Sequence, residues 1–115
     1  MLNNSVNKVI LVGHVGKKPD LKYTPTGRSI STFSIATNEQ WMNLENKKKE
    51  HTEWHNIVAW NKLAEFSHEN INKGQLVYVE GRIHTQTWID KNNVRQKNIE
   101  IVCDKITLLG TKKQS

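Results

Sequence analysis

Residues 53–89 read EWHNIVAWNKLAEFSHENINKGQLVYVEGRIHTQTWI, and this stretch decides the fold. Glu53 to Trp60 is rich in β-branched and aromatic residues and predicts a strand. Asn61 then has the chemistry of a helix N-cap, because its side-chain oxygen can accept an orphan backbone N–H of a first turn. Leu63, Phe66 and Ile71 fall near helical spacing. Lys73-Gly74 supplies a stop, since glycine adopts the left-handed conformation at no Cβ cost. Gln75 to Ile89 returns to strand character over a length that a small flat sheet does not need. Gly81 in its middle predicts a bend or bulge.

Working outward, Asn7 to Gly13 is a β-branched run ending in glycine, followed by a loop through Gly16 and Pro19. Pro25-Thr26-Gly27 marks a turn. Ser29 to Trp41 is a long strand with Ile30, Phe33, Ile35 and Ala36 as its apolar positions. Asn43 to Glu50, with Lys47, Lys48 and Lys49, is polar enough to predict an exposed loop. Beyond the long strand, Asp90-Lys91-Asn92-Asn93 is a hairpin tip. Val94 to Cys103 returns from it, and Ile106 to Leu109 adds a short closing strand. Three strands, one helix and two strands is the order of an OB fold: all-β, a five-stranded Greek-key barrel with one short helix between strands 3 and 4. A split β-sandwich or an SH3-like barrel lacks a helix at that place. A chain of 115 residues fits one domain with one modest core, expected over residues 1–110, with a short basic end at 111–115.

The formal net charge of +6 favours a polyanionic partner, nucleic acid or an anionic membrane. No apolar run reaches the length of about 18 residues that a spanning helix needs. Met1 to Ser5 lacks the regions of a secretory signal and the arginines of a transit peptide. A cytoplasmic setting follows as the expectation, with a processed mitochondrial form as the alternative. Cys103 is the only cysteine, which excludes an intrachain disulfide, and its apolar run Ile99 to Cys103 marks a small buried hydrophobe. His51-x-x-x-His55 has a zinc-like spacing, but on a strand residues four apart lie about 13 Å from each other. No nucleophile–base set, paired carboxylates or phosphate-binding glycine loop stands out. The expectation is therefore a binding protein without catalysis, metal or cofactor.

The binding chemistry is expected in the tryptophans, of which the chain has 4. Alternation puts Trp54, Asn56, Val58 and Trp60 on one strand face and His55, Ile57 and Ala59 on the other. Trp88 shares a face with Arg82, His84 and Gln86, and Trp41 ends its strand beside the lysines. Each ring has polar sequence neighbours, whereas core tryptophans sit among apolar ones. Every nucleobase has a π face, so stacking on aromatic rings binds single strands without sequence choice. Lys47, Lys48, Lys49, Lys62, Lys73 and Arg82 would meet the phosphates and release counterions.

These residues also carry a resemblance. Asn7 to Gly13, Phe33-Ser34-Ile35-Ala36-Thr37-Asn38-Glu39-x-Trp41, Thr52-Glu53-Trp54-His55, Lys73-Gly74-x-x-Val77-Tyr78-Val79-Glu80-Gly81 and Trp88-x-Asp90 resemble the bacterial and mitochondrial single-stranded DNA-binding proteins, from about Val6 to Leu109. The resemblance implies a protein that coats and protects single-stranded DNA during replication, recombination and repair. It places the base-stacking aromatics at Trp41, Trp54, Trp60 and Trp88, strand-contacting cations at Lys62 and Lys73, and a subunit-contact histidine at His55. It implies a homotetramer, with Asn7, Val9 and Leu11 on the first strand expected at the subunit boundary beside His55. Asn56, His84 and Gln86 stand where relatives often carry Arg. Many bacterial relatives continue into a flexible linker and an acidic tip that recruits replication and repair proteins; an acidic tail is absent from this sequence, which ends on Lys112-Lys113-Gln114-Ser115.

Overall fold

Strand β1 (Val9–Val15) is followed by β2 (Asp20–Tyr23), β3 (Ser29–Met42), β4 (Lys48–Trp60), helix α1 (Lys62–Asn70), β5 (Leu76–Ile89) and β6 (Arg95–Leu109) in the computed structural model, which describes residues 4–110. The basic end expected at 111–115 lies outside the described residues. β1 runs antiparallel to β5 from Val9↔Gly81 to His14↔Leu76, and its last residues pair with β3 at His14↔Ala36 and Val15↔Ile35. β3 pairs with β4, β4 runs parallel to β6 at Ile57↔Ile101 and Val58↔Val102, and β6 pairs back onto β5. The circuit β1–β3–β4–β6–β5–β1 is closed. β2 continues the course of β1 along β3, from Asp20↔Thr32 to Tyr23↔Ser29. With β1 and β2 taken as halves of one strand, this is the expected five-stranded OB barrel, with its helix between the third and fourth strands.

The inward set is Phe33, Ile35, Ile57, Ala59, Val77, Val79, Ile101 and Cys103, joined from the helix end by Ala64 and Ile71. Burial there removes apolar surface from water and is the main force holding the barrel. It also pushes the Cys103 thiol up to about 12, so this cysteine is inert at neutral pH. α1 closes one end of the barrel. The buried Ser67 hydroxyl donates to the Ala64 carbonyl and meets the Ser31 hydroxyl, both at 2.8 Å, so no buried polar group is left unpaired there.

Gly81 is the expected bulge. The β5–β6 register jumps from Glu80↔Lys105 to Gly81↔Cys103, leaving Asp104 as the extra residue. A Cβ at Gly81 would stand 2.3 Å from the Val102 carbonyl oxygen, so only glycine lets the strands approach this closely. At the hairpin tip, Asp90 accepts from the Asn92 and Val94 backbone N–H groups and the Gln96 amide. Those bonds, the one to Val94 first, hold its carboxyl below the usual range.

Several boundaries differ from expectation. Asn61 precedes the helix, but its side chain makes no cap; it sits at φ 57°. Two bonds to Ser29 hold its backbone there, one donated by Asn61 N–H and one accepted from the Ser29 hydroxyl. The helix stops at Asn70, not at Lys73-Gly74, because Ile71 turns to extended backbone and buries its side chain. Gly74, at φ 85°, serves instead the turn into β5 and donates to the Val15 carbonyl. Lys48, Lys49 and Glu50 belong to β4, and the loop shrinks to a tip between Met42 and Lys48, where Asn43 Oδ1 accepts from the Glu45 and Lys47 N–H groups. Beyond the barrel both faces of this ribbon meet solvent, so no apolar alternation announces the strand. β6 is likewise one strand, where two pieces were expected.

Candidate nucleic-acid interface

The β3–β4 ladder keeps one register from Ile30↔Trp60 to Met42↔Lys48, so its alternation is unbroken. Phe33, Ile35, Ile57 and Ala59 face inward. The opposite, outer face carries Trp60 beside Ile30, Val58 beside Thr32, Asn56 beside Ser34 and Trp54 beside Ala36. Through Val58↔Val102 and Val102↔Arg82 the same face continues across β6 to Arg82 on β5. From there it runs along the β5–β6 arm through His84 and Gln86 to Trp88, which faces Gln96. Trp54, Trp60, Trp88 and Arg82 thus share one face: alternation within each strand pairs Trp54 with Trp60 and Trp88 with Arg82, and the β4–β6–β5 register joins the two pairs.

Trp41 does not join them. An odd number of residues from Ala36, it falls on the other face of the ribbon, opposite Lys49. It is half exposed near the ribbon's end. Lys48 lies on the Trp54 face, and Lys47 sits in the tip, 4.0 Å from Glu45.

Trp54 and Trp88 are 55% and 47% exposed, far too open to be core residues. The Trp54 ring rests on the loop after β1. A Cβ on Gly16 would come within 2.7 Å of its Cζ3 and 3.1 Å of Ser34 Oγ, so the missing side chain is the seat of the ring. Lys73 precedes Gly74, whose N–H bonds Val15, and this places a cation beside the same loop. Between Trp54 and Trp60 on the outer face lies an open cleft of about 450 Å³, lined by Lys17, Lys18, Thr32, Ser34, Asn56 and Asn98 among others. It also carries Asp20 and Glu100, the latter bonded to His84 Nδ1 at 3.1 Å. Trp60 is half-buried, with the Arg28 guanidinium 4.4 Å above its ring, while Lys62 stands exposed two residues on.

The residues expected at the subunit boundary, Asn7, Val9, Leu11 and His55, lie on β1, just before it, and on β4. Val9 and Leu11 are partly buried against the core, and the backbone they belong to stays open on the edge away from β5. The outward residues of β1 are Ile10 and Val12, 56% and 47% exposed. Asn7 lies before β1, and its amide makes two 2.9 Å bonds with the Ile83 backbone, acting as one more rung of the ladder. His55 is half-buried on the inner side, its Nε2 3.0 Å from Thr37 Oγ1. Gly16, the cleft cations Lys17 and Lys18, and Arg28 were not singled out by the sequence pattern. Only Gly16 had a signal, as a glycine in the loop between strands. Among the described residues no cluster of His, Cys, Asp or Glu could hold a metal ion.

A closed barrel with outward tryptophans on the face of a polar cleft is an OB-fold binding module. The chain belongs to the single-strand binding protein family, which matches residues 6–109. It is 39% identical over 111 residues to the "Single-stranded DNA-binding protein" of Neisseria meningitidis, covering 96% of this chain and 64% of that protein. To "Single-stranded DNA-binding protein 1" of Chlorobaculum tepidum it is 42% identical over 108 residues, with 93% and 67% covered. The chain thus spans about two thirds of the length of these relatives. Among solved structures, the Plasmodium falciparum SSB in complex with ssDNA superposes with a TM-score of 0.86 at 35% identity, covering 96% of this chain and all of that one. A deletion mutant of the Thermus aquaticus single-stranded DNA-binding protein gives 0.80 at 26% identity, with 91% and 51% covered.

Proposed function

We propose that this protein binds single-stranded DNA without sequence preference, and that it coats and protects unpaired strands during replication, recombination and repair by binding alone. The observation that carries this reading is the shared outer face of Trp54, Trp60 and Trp88 with Arg82 and, in the cleft, Lys17. Stacking platforms spaced along a cationic track match the two needs of a single strand, whose bases are apolar planes and whose phosphates are charged. The full-length relatives named for this activity, and the solved ssDNA complex of similar shape, support it. Competition between equal-length oligo(dT) and oligo(U) tests the reading. Oligo(dT) is expected to displace oligo(U); preference for oligo(U) would move the protein to RNA.

We further propose a homotetramer. β1 uses one edge for β5 but leaves Val9 to Gly13 unpaired on the other, with Ile10 and Val12 exposed beside it. An open apolar edge strand is a template for a second copy, and linked sites let one long strand engage several barrels. Sedimentation equilibrium at micromolar concentration should give several times the 13.3 kDa of one chain, and a mass near that single-chain value would exclude the assembly.

A further inference from the structure

The guanidinium of Arg28 lies over Trp60 in a cation–π contact, 4.4 Å from the ring centroid. Its backbone is pinned from the preceding turn: Arg28 N–H donates to Thr24 Oγ1 at 3.1 Å, and Thr24 N–H donates to the Arg28 carbonyl at 2.8 Å. The side chain is steered from the other end by Asn61, whose Oδ1 lies 3.5 Å from Arg28 Nε. Asn61 is itself held at positive φ by its two bonds to Ser29. The nearby carboxylate, Glu65, faces the Ser29 hydroxyl at 3.4 Å. Among the described residues no carboxylate comes within ion-pair distance of Arg28. The result is an exposed cation, steered by Asn61 and Trp60, without an ion-pair partner among the described residues, beside Trp60 on the outer face.

A guanidinium is planar, and its N–H groups lie in that plane and point away from its central carbon. Arg28 spends at most Nε on Asn61, which leaves the terminal nitrogens free to hold two oxygens of a phosphate side by side. We propose that Arg28 is a phosphate-holding residue of this interface, with Trp60 as the ring that pre-sets its plane. The proposal rests on the single-strand reading above and names one contact within it. Trp60 then differs in role from Trp54 and Trp88, since one of its faces is already taken by Arg28.

The test is a salt titration of oligo(dT) binding by the wild type, Arg28→Ala, Arg28→Gln and Arg28→Lys. Each phosphate neutralised on a single strand contributes about −0.7 to the slope of log K against log salt. Loss of Arg28 should make that slope shallower by about this amount. The wild-type affinity advantage over Arg28→Ala should therefore shrink about 2.6-fold between about 50 and 200 mM salt. Arg28→Gln should match Arg28→Ala in slope, and Arg28→Lys should restore the slope. Equal slopes in all four proteins overturn the proposal, including the case in which Arg28→Ala binds more weakly at every salt concentration, because that would make Arg28 a stacking or packing group. Wild-type protein that does not bind oligo(dT) overturns the functional reading itself, a result distinct from unchanged slopes in proteins that bind.

Discussion

Replacing Ile57 by Ala is expected to cost about 2–5 kcal/mol of stability, a large share of what holds a domain of this size folded. Ile57 is fully buried, faces Phe33 on β3, and pairs with Ile101 across the parallel rung that closes the barrel. Truncation there loses the transfer free energy of the removed carbons and leaves a cavity between three strands that cannot all move together. Ile57→Val should cost only about 0.5–1.5 kcal/mol, since one methylene is lost. Urea unfolding followed by far-ultraviolet circular dichroism measures both. A drop below about 1 kcal/mol for the alanine variant would mean that the barrel does not close through Ile57, against the stated range for buried isoleucine.

Trp54→Ala is expected to weaken binding to a short oligo(dT) by about 1–3 kcal/mol, the worth of one base stack, while the fold stays intact. At about 1.4 kcal/mol per decade this is roughly a 5- to 150-fold change in Kd. The ring is more than half exposed and lies outside the core cluster, so its removal opens no cavity. Gly16→Val should weaken binding in the same direction with the tryptophan itself unsubstituted, because the new side chain must displace the ring from its seat. Titrations at one fixed salt concentration check both variants. Unchanged affinity in Trp54→Ala removes the residue from the interface, and loss of the folded circular dichroism spectrum would make it a structural ring.

The barrel was legible because its elements follow one another in a pattern that local rules capture. Glu53 to Trp60, the helix with Leu63 and Phe66, and the long strand bent at Gly81 each announce themselves by periodicity or by glycine. What local rules missed was set by tertiary contacts. Lys48 to Glu50 read as loop because a ribbon beyond the barrel buries neither face. Ile71 ended the helix because its burial outweighed another turn, and Ser29 fixed Asn61 where a side-chain cap was expected. Alternation correctly put Trp54 and Trp60 together and His55 behind them. The position of Trp41 on the opposite face required the register of β3 against β4, which no single strand's pattern contains. In β1 the apolar run is continuous, so Val9 and Leu11 could not be separated from Ile10 and Val12 by composition. Arg28 is invisible for a different reason: its partner Trp60 is a strand away in space and far along the chain.

The central claim is that the outward tryptophans are surfaces on which bases stack. Titrating the protein with oligo(dT) while following intrinsic tryptophan emission tests it most directly. The account predicts strong, saturable quenching as bases cover Trp54 and Trp88, with part of the quenching lost in Trp54→Ala. Emission that stays unchanged at saturating DNA would contradict it and would leave the rings as exposed features of the barrel with no role in binding.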